Sequence, residues 1–141
     1  MQLSTRNQLH GTVTDVKLGT VMAEVTVDMG GQTAVAAVTR AGVEGLGLAQ
    51  GDDVIVLIKA TEVMLAKGSE RFEGLTTRNQ LPGKVTGVTL GSVMAEVTVA
   101  VGSHKVVAAV TRNSVSRLGL GEGDDVVVLV KATEVMLAKP A

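Results

Sequence analysis

Cysteine, tryptophan and tyrosine are absent from this 141-residue chain, and phenylalanine occurs once, at Phe72. Without cysteine there can be no disulfide, no thiolate metal ligand and no cysteine nucleophile. With a single aromatic ring the chain lacks the stacking platforms on which single-stranded nucleic acid is held. The formal net charge is −1, so the basic footprint of a nucleic-acid or anionic-membrane binder is missing as well. No apolar run approaches the roughly 20 residues needed to cross a bilayer, and the opening MQLSTRNQL carries no basic-then-apolar leader pattern. The expectation is a soluble, cytoplasmic protein with no nucleic-acid and no membrane partner.

What the chain does contain, it contains twice. TRNQL stands at Thr5–Leu9 and again at Thr77–Leu81, and KATEVMLAK runs from Lys59 to Lys67 and again from Lys131 to Lys139. Aligning the two halves at this constant offset, without a gap, makes about 45 of about 65 positions identical, which marks an internal duplication. We divide the chain into a first repeat, 1–68, a linker, 69–74, and a second repeat, 75–141. Repeats this short bury a modest core and need support from oligomerisation or from packing of copy on copy.

Within each repeat the pattern is that of short strands. Val21–Asp28 alternates, with Ala23, Val25 and Val27 on one face and Met22, Glu24, Thr26 and Asp28 on the other, as in a half-buried strand. Gly30-Gly31 predicts a hairpin turn, and Thr33–Val38 the returning strand. Thr39 is placed to cap one helical turn ending near Gly47, where a left-handed residue costs little. Val54–Ile58 is an uninterrupted apolar run suited to a strand buried on both faces. The fold class read from this is all-β: two small OB-like antiparallel barrels in tandem, each with one short helical turn. Phe72, in the charged and Gly-bearing linker, is placed to pin that tether to a barrel.

Catalytic constellations are not apparent. His10 aligns with Pro82 and His104 with Gln32, so neither histidine belongs to the repeated pattern, and both read as surface or turn residues. Asp52-Asp53 and Asp124-Asp125 lack the alternating spacing of a calcium loop and read as turns before a strand. There is no phosphate loop ending in Lys-Ser or Lys-Thr. What recurs instead is a set of anion donors: Ser4 and Thr76, Thr5 and Thr77, Arg6 and Arg78, Asn7 and Asn79, Thr39 and Thr111, Lys59 and Lys131, Thr61 and Thr133. A guanidinium fork, an ammonium and hydroxyls suit a small tetrahedral oxyanion, whose oxygens accept several charge-assisted hydrogen bonds. With no base among them, such a site would hold its anion unchanged, so the chain is expected not to be an enzyme. On residue chemistry alone, Arg6 and Lys59 serve equally well as solvated charges at strand ends.

The motifs in order, TRNQL followed by GxV, then VMAEV at Val21–Val25, the VTR…LGL segment and the closing KATEVM, resemble the molybdate-binding Mop domain. Two such repeats in tandem resemble the cytoplasmic di-Mop molbindins, and the resemblance covers nearly all of both copies. It implies molybdate as the ligand, with tungstate able to substitute, in molybdenum storage and homeostasis. It also implies a homotrimer with anion sites between subunits and domains, and no protein metal ligands, molybdenum being bound only as the molybdate oxyanion. By motif, Ser4, Arg6, Lys59 and Ala60 correspond to ligand positions in the first repeat, and Thr76, Arg78, Lys131 and Ala132 in the second. Thr39 and Thr111 correspond to a hydroxyl after the third strand. A serine three residues further on is matched by Ser114 but replaced by Gly42, so the two copies are expected to build sites of unequal affinity or to use the Gly42 N–H instead. Relatives of this family carry attached DNA-reading or nucleotide-binding domains, and neither is expected in this sequence. The alternative function is a structural or regulatory interaction module whose oligomer uses bound oxyanion as a stabilising or signalling ligand.

Overall fold

The computed structural model describes residues 2–140. The first repeat forms β1 (Asn7–Leu18), β2 (Met22–Asp28), β3 (Thr33–Thr39), α1 (Arg40–Leu46), β4 (Asp53–Ile58) and β5 (Met64–Lys67), with a 3-10 turn at Ala60–Glu62. The second forms β6 (Asn79–Leu90), β7 (Met94–Val101), β8 (His104–Thr111), α2 (Arg112–Leu118), β9 (Asp125–Val130) and β10 (Met136–Ala138), with a 3-10 turn at Ala132–Glu134. All strand pairings are antiparallel.

Local chemistry explains most of these elements. Ala23, Val25 and Val27 are buried while Met22 and Asp28 stay exposed, as their alternation requires. The turn from β2 to β3 uses Gly30 at φ 83° and Gly31 at φ 102°, left-handed values that glycine adopts without steric cost. Both of their N–H groups donate to Asp28 Oδ1, at 3.1 and 3.2 Å. Thr39 caps α1, its hydroxyl accepting from Gly42 N–H at 3.0 Å, and Gly47 ends the helix at φ 62°. The expected single turn is a seven-residue helix in both repeats. Every residue of β4 from Val54 to Ile58 is buried. Gly11, in the GxV motif, lets two strands close on each other: a Cβ there would lie 2.5 Å from Val27 Cγ1 and 2.8 Å from the Asp28 carbonyl oxygen.

The two sheets do not coincide with the two sequence repeats. The first runs in the order β3-β2-β1-β4-β10 and the second β8-β7-β6-β9-β5. Each repeat thus lends its last strand to the other, with Leu137 opposite Val56 and Leu65 opposite Val128. This revises the picture of a barrel assembled from the strands of one copy. β4 and β9 are apolar on both faces and leave one edge unpaired beside β1 and β6, and the borrowed strand satisfies that edge. Lys67, the last residue of β5, and Lys139, just past β10, extend the exchange. Lys67 Nζ donates to the carbonyls of Leu118 and Gly119 at 3.0 and 3.2 Å, and Lys139 Nζ to those of Leu46 and Gly47 at 3.1 and 3.4 Å. A cation at a helix C-terminus also favours the helix dipole. Buried residues of both repeats form one continuous core. Phe72 is half-buried against Gly68, and its main chain is held by Gln80, which accepts from Phe72 N–H at 2.7 Å and donates to its carbonyl at 3.1 Å.

Candidate oxyanion site

The β1–β4 ladder ends with Asn7 opposite Ile58. Arg6 immediately precedes that pair and Lys59 immediately follows it, so the Ser4, Thr5 and Arg6 segment and the Lys59 and Ala60 segment leave the ladder at the same end of the sheet. The second repeat repeats this arrangement, with Asn79 opposite Val130 and the Thr76, Thr77 and Arg78 segment at the same end as Lys131 and Ala132. Ser4, Arg6, Lys59, Thr76, Arg78 and Lys131 are all exposed. No side chain caps either 3-10 turn, so the leading N–H groups after Lys59 and Lys131 keep their donor capacity.

The threonines that cap the helices share their grooves with residues of the other repeat. Thr39 and Gly42 line an open groove of about 470 Å³ together with Thr133 of the second repeat. Thr111 and Ser114 line the corresponding groove, about 460 Å³, with Thr61 of the first. The crossing follows from strand exchange, because the segment that leads into the borrowed strand is the Lys-Ala-Thr segment. The two grooves differ chemically. In the second, Thr111 Oγ1 and Ser114 Oγ are 2.7 Å apart and Arg117 adds a cation, whereas the first has Gly42 in place of Ser114 and Gly45 in place of Arg117; a leucine and a methionine line both, Leu46 and Met136 in the first and Leu118 and Met64 in the second.

The side chains of Asn7 and Asn79, expected among the donors, point into the protein. Asn7 and Asn79 are 1% and 2% exposed, and their amides are committed within the chain. Asn7 Nδ2 donates to the Val107 carbonyl at 2.9 Å and its Oδ1 accepts from Val107 N–H at 2.7 Å. Asn79 makes the same pair with Val35. A buried amide that spans an edge strand in this way ties the repeats together and has no side-chain donor aimed at solvent.

Sequence reasoning missed the partners of the arginines. Arg6 Nη1 donates to Glu96 Oε1 and Arg78 Nη1 to Glu24 Oε1, each at 3.0 Å and each across the repeat boundary. The signal was present in VMAEV, which is identical in the two copies and has its glutamate on the polar face. Arg117 was also missed, in the segment where the copies diverge most. Among the described residues no group of three or more His, Asp or Glu side chains is placed to hold a metal ion.

Residues 3–65 and 75–137 each match the TOBE domain. The chain belongs to the TOBE-domain family. Its two TOBE domains are 39% identical over 142 residues to the molybdenum-pterin-binding protein MopA of Rhodobacter capsulatus, covering 99% of this chain and 53% of that protein. They are 40% identical over 140 residues to the molybdenum transport protein ModE of Azotobacter vinelandii, covering 98% of this chain and 51% of that one. The chain thus spans about half the length of these curated relatives. A single TOBE domain matches molybdenum-pterin-binding protein 2 of Clostridium pasteurianum, 41% identical over 64 residues, 45% of this chain and 94% of that protein. Among solved structures, the cytoplasmic molybdate-binding protein ModG, with molybdate bound, superposes with a TM-score of 0.94 at 37% identity, covering 99% of this chain and 100% of that one. The tandem Mop-like repeat and the pair of OB-like sheets expected from the sequence agree with these likenesses.

Proposed function

We propose that this tandem TOBE protein binds molybdate, and tungstate in its place, and serves in the cytoplasm in molybdenum storage and homeostasis. The observation that carries the reading is the likeness over the whole chain to a molybdate-bound protein, combined with donors that recur in both repeats. Arg6 and Arg78 supply the charge, Lys59 and Lys131 close from the adjacent strand end, and Thr39, Thr111 and Ser114 contribute hydroxyls from the helix entrances, the Gly42 N–H being engaged by Thr39 Oγ1. Each group donates hydrogen bonds to an anion, and none is arranged as a base, so the anion is held and released unchanged. The rival reading as an interaction platform draws no support from relatives named for molybdenum.

Sites of this kind are completed by further copies of the chain in a homotrimer. Val21 and Val93 are 70% and 72% exposed, and Met22, Met64, Met94 and Met136 are exposed as well. Paired apolar positions of this sort suit a repeated self-contact.

Equilibrium dialysis tests the proposal. We expect at least one molybdate per chain, and no detectable uptake would sink it. Replacing Arg6 and Arg78 together by alanine removes a charge-assisted fork from each site, worth roughly 1.5–3 kcal/mol, so affinity should fall by about tenfold to a hundredfold. Unchanged affinity in that double variant would show that the arginines lie outside the site.

A further inference from the structure

The ion pairs on Arg6 and Arg78 have a regularity that surface pairs seldom show. Both join equivalent atoms, Nη1 to Oε1, both measure 3.0 Å, and both link an arginine of one repeat to the VMAEV glutamate of the other. Their side chains remain about half exposed, 52% and 50% for Arg6 and Glu96 and 52% and 42% for Arg78 and Glu24, so neither pair contributes much to stability. A guanidinium carries five N–H donors. Engaging Nη1 leaves Nε and Nη2, which form the other edge of the fork, for a bidentate grip on an oxyanion. The carboxylates are also tied to the helix-entrance donors. Glu24 lies opposite Ala37 in the β2–β3 ladder, and Ala37 lines the groove of Thr39 and Gly42; Glu96 lies opposite Ala109, which lines the groove of Thr111 and Ser114.

We infer that Glu24 and Glu96 are positioning residues of the oxyanion sites, each holding the opposite repeat's arginine by one nitrogen so that the remaining edge of the guanidinium faces the anion. This rests on the proposed role of Arg6 and Arg78. A long, exposed arginine otherwise loses rotamer freedom when it binds, and a prior hydrogen bond removes part of that cost. The negative charge acts in the opposite direction by repelling the anion. Exchange to glutamine therefore separates the two effects, since it removes the charge and keeps the Oε1 acceptor, while exchange to alanine removes both.

The experiment measures molybdate affinity by titration calorimetry on the full chain carrying Glu24→Gln with Glu96→Gln, Glu24→Ala with Glu96→Ala, or Arg6→Ala with Arg78→Ala. The glutamine pair should bind at least as tightly as the unsubstituted chain. The alanine pair should bind about three- to tenfold more weakly than the glutamine pair, the span expected for immobilising one long side chain per site. A merely structural role would move the melting temperature without separating alanine from glutamine in affinity, and equal affinities for those two pairs overturn the proposal. If the arginine pair binds as the unsubstituted chain does, the site assignment has failed and the positioning role falls with it. If the arginine pair is weakened and alanine equals glutamine, only the positioning role is lost.

Discussion

Asn79 reaches across the repeat boundary to Val35, its Oδ1 accepting from the Val35 N–H at 2.7 Å and its Nδ2 donating to the Val35 carbonyl at 2.8 Å. Val35 lies on β3, the outer strand of the first sheet, so the side chain does the work of one residue of an additional strand. Exchange of Asn79 for alanine leaves a buried N–H and a buried C=O without partners. Each costs about 1–3 kcal/mol, and we expect Asn79→Ala to lose roughly 2–4 kcal/mol in urea denaturation. Loss of less than about 0.5 kcal/mol would mean that water replaces the amide and that the clamp is not a stabilising feature.

How the sequence disclosed the fold, and where it did not, follows from the range of the forces involved. Strand β2, the Gly30-Gly31 turn, the Thr39 cap and the Gly47 stop are fixed by neighbours within a few residues, and each was legible. The exchange of β5 and β10 was not. KATEVMLAK is identical in the two copies, and the strands that receive it, Asp53–Ile58 and Asp125–Val130, differ only by Ile-to-Val changes. Ladder energy therefore does not distinguish the borrowed strand from the native one. The site shows the same division. Arg6 and Lys59 could be named from motif and strand position, but the burial of Asn7 and Asn79 depends on partners 100 and 44 residues away, each on the outer strand of the other sheet. An asparagine beside an arginine looks equally polar whether it faces solvent or a neighbouring main chain.

The exchange makes a directional prediction about truncation. A chain ending at Val135 lacks β10, whose residues lie in the second repeat but pair with Leu57, Val56 and Ile55 of the first. Loss of this ladder and of the half-buried Leu137 should destabilise the protein by roughly 2–4 kcal/mol. Amide hydrogen exchange, which reports local opening, should show lost protection in β4 while β9, still covered by β5, keeps its own. Loss confined to β9 would contradict the exchanged topology.

The helix entrances offer a test of whether the two sites are unequal and why. In the second repeat Ser114 N–H donates to Thr111 Oγ1 at 3.1 Å and the two hydroxyl oxygens lie 2.7 Å apart, so one hydroxyl proton is shared between them and the other is available to an anion. In the first repeat Gly42 keeps the N–H bond to Thr39 and supplies no hydroxyl. A Cβ at Gly42 would meet only Thr39 Oγ1, at 3.0 Å, and Ser114 occupies the equivalent place with the same cap geometry, so serine is accommodated. Serine is also a better helix residue than glycine, by a few tenths of a kcal/mol. One hydrogen bond to the bound anion contributes about 0.5–1.5 kcal/mol net, or roughly two- to tenfold in affinity. Molybdate titration of the unsubstituted chain should then resolve two affinities. Gly42→Ser should draw the weaker one toward the stronger, and Ser114→Gly should weaken the stronger one by a similar factor. If Ser114→Gly leaves the isotherm unchanged, the Ser114 hydroxyl makes no contact with the anion, and a difference between the sites would have to come from other positions at which the repeats differ, such as Arg117, which stands where the first repeat has Gly45.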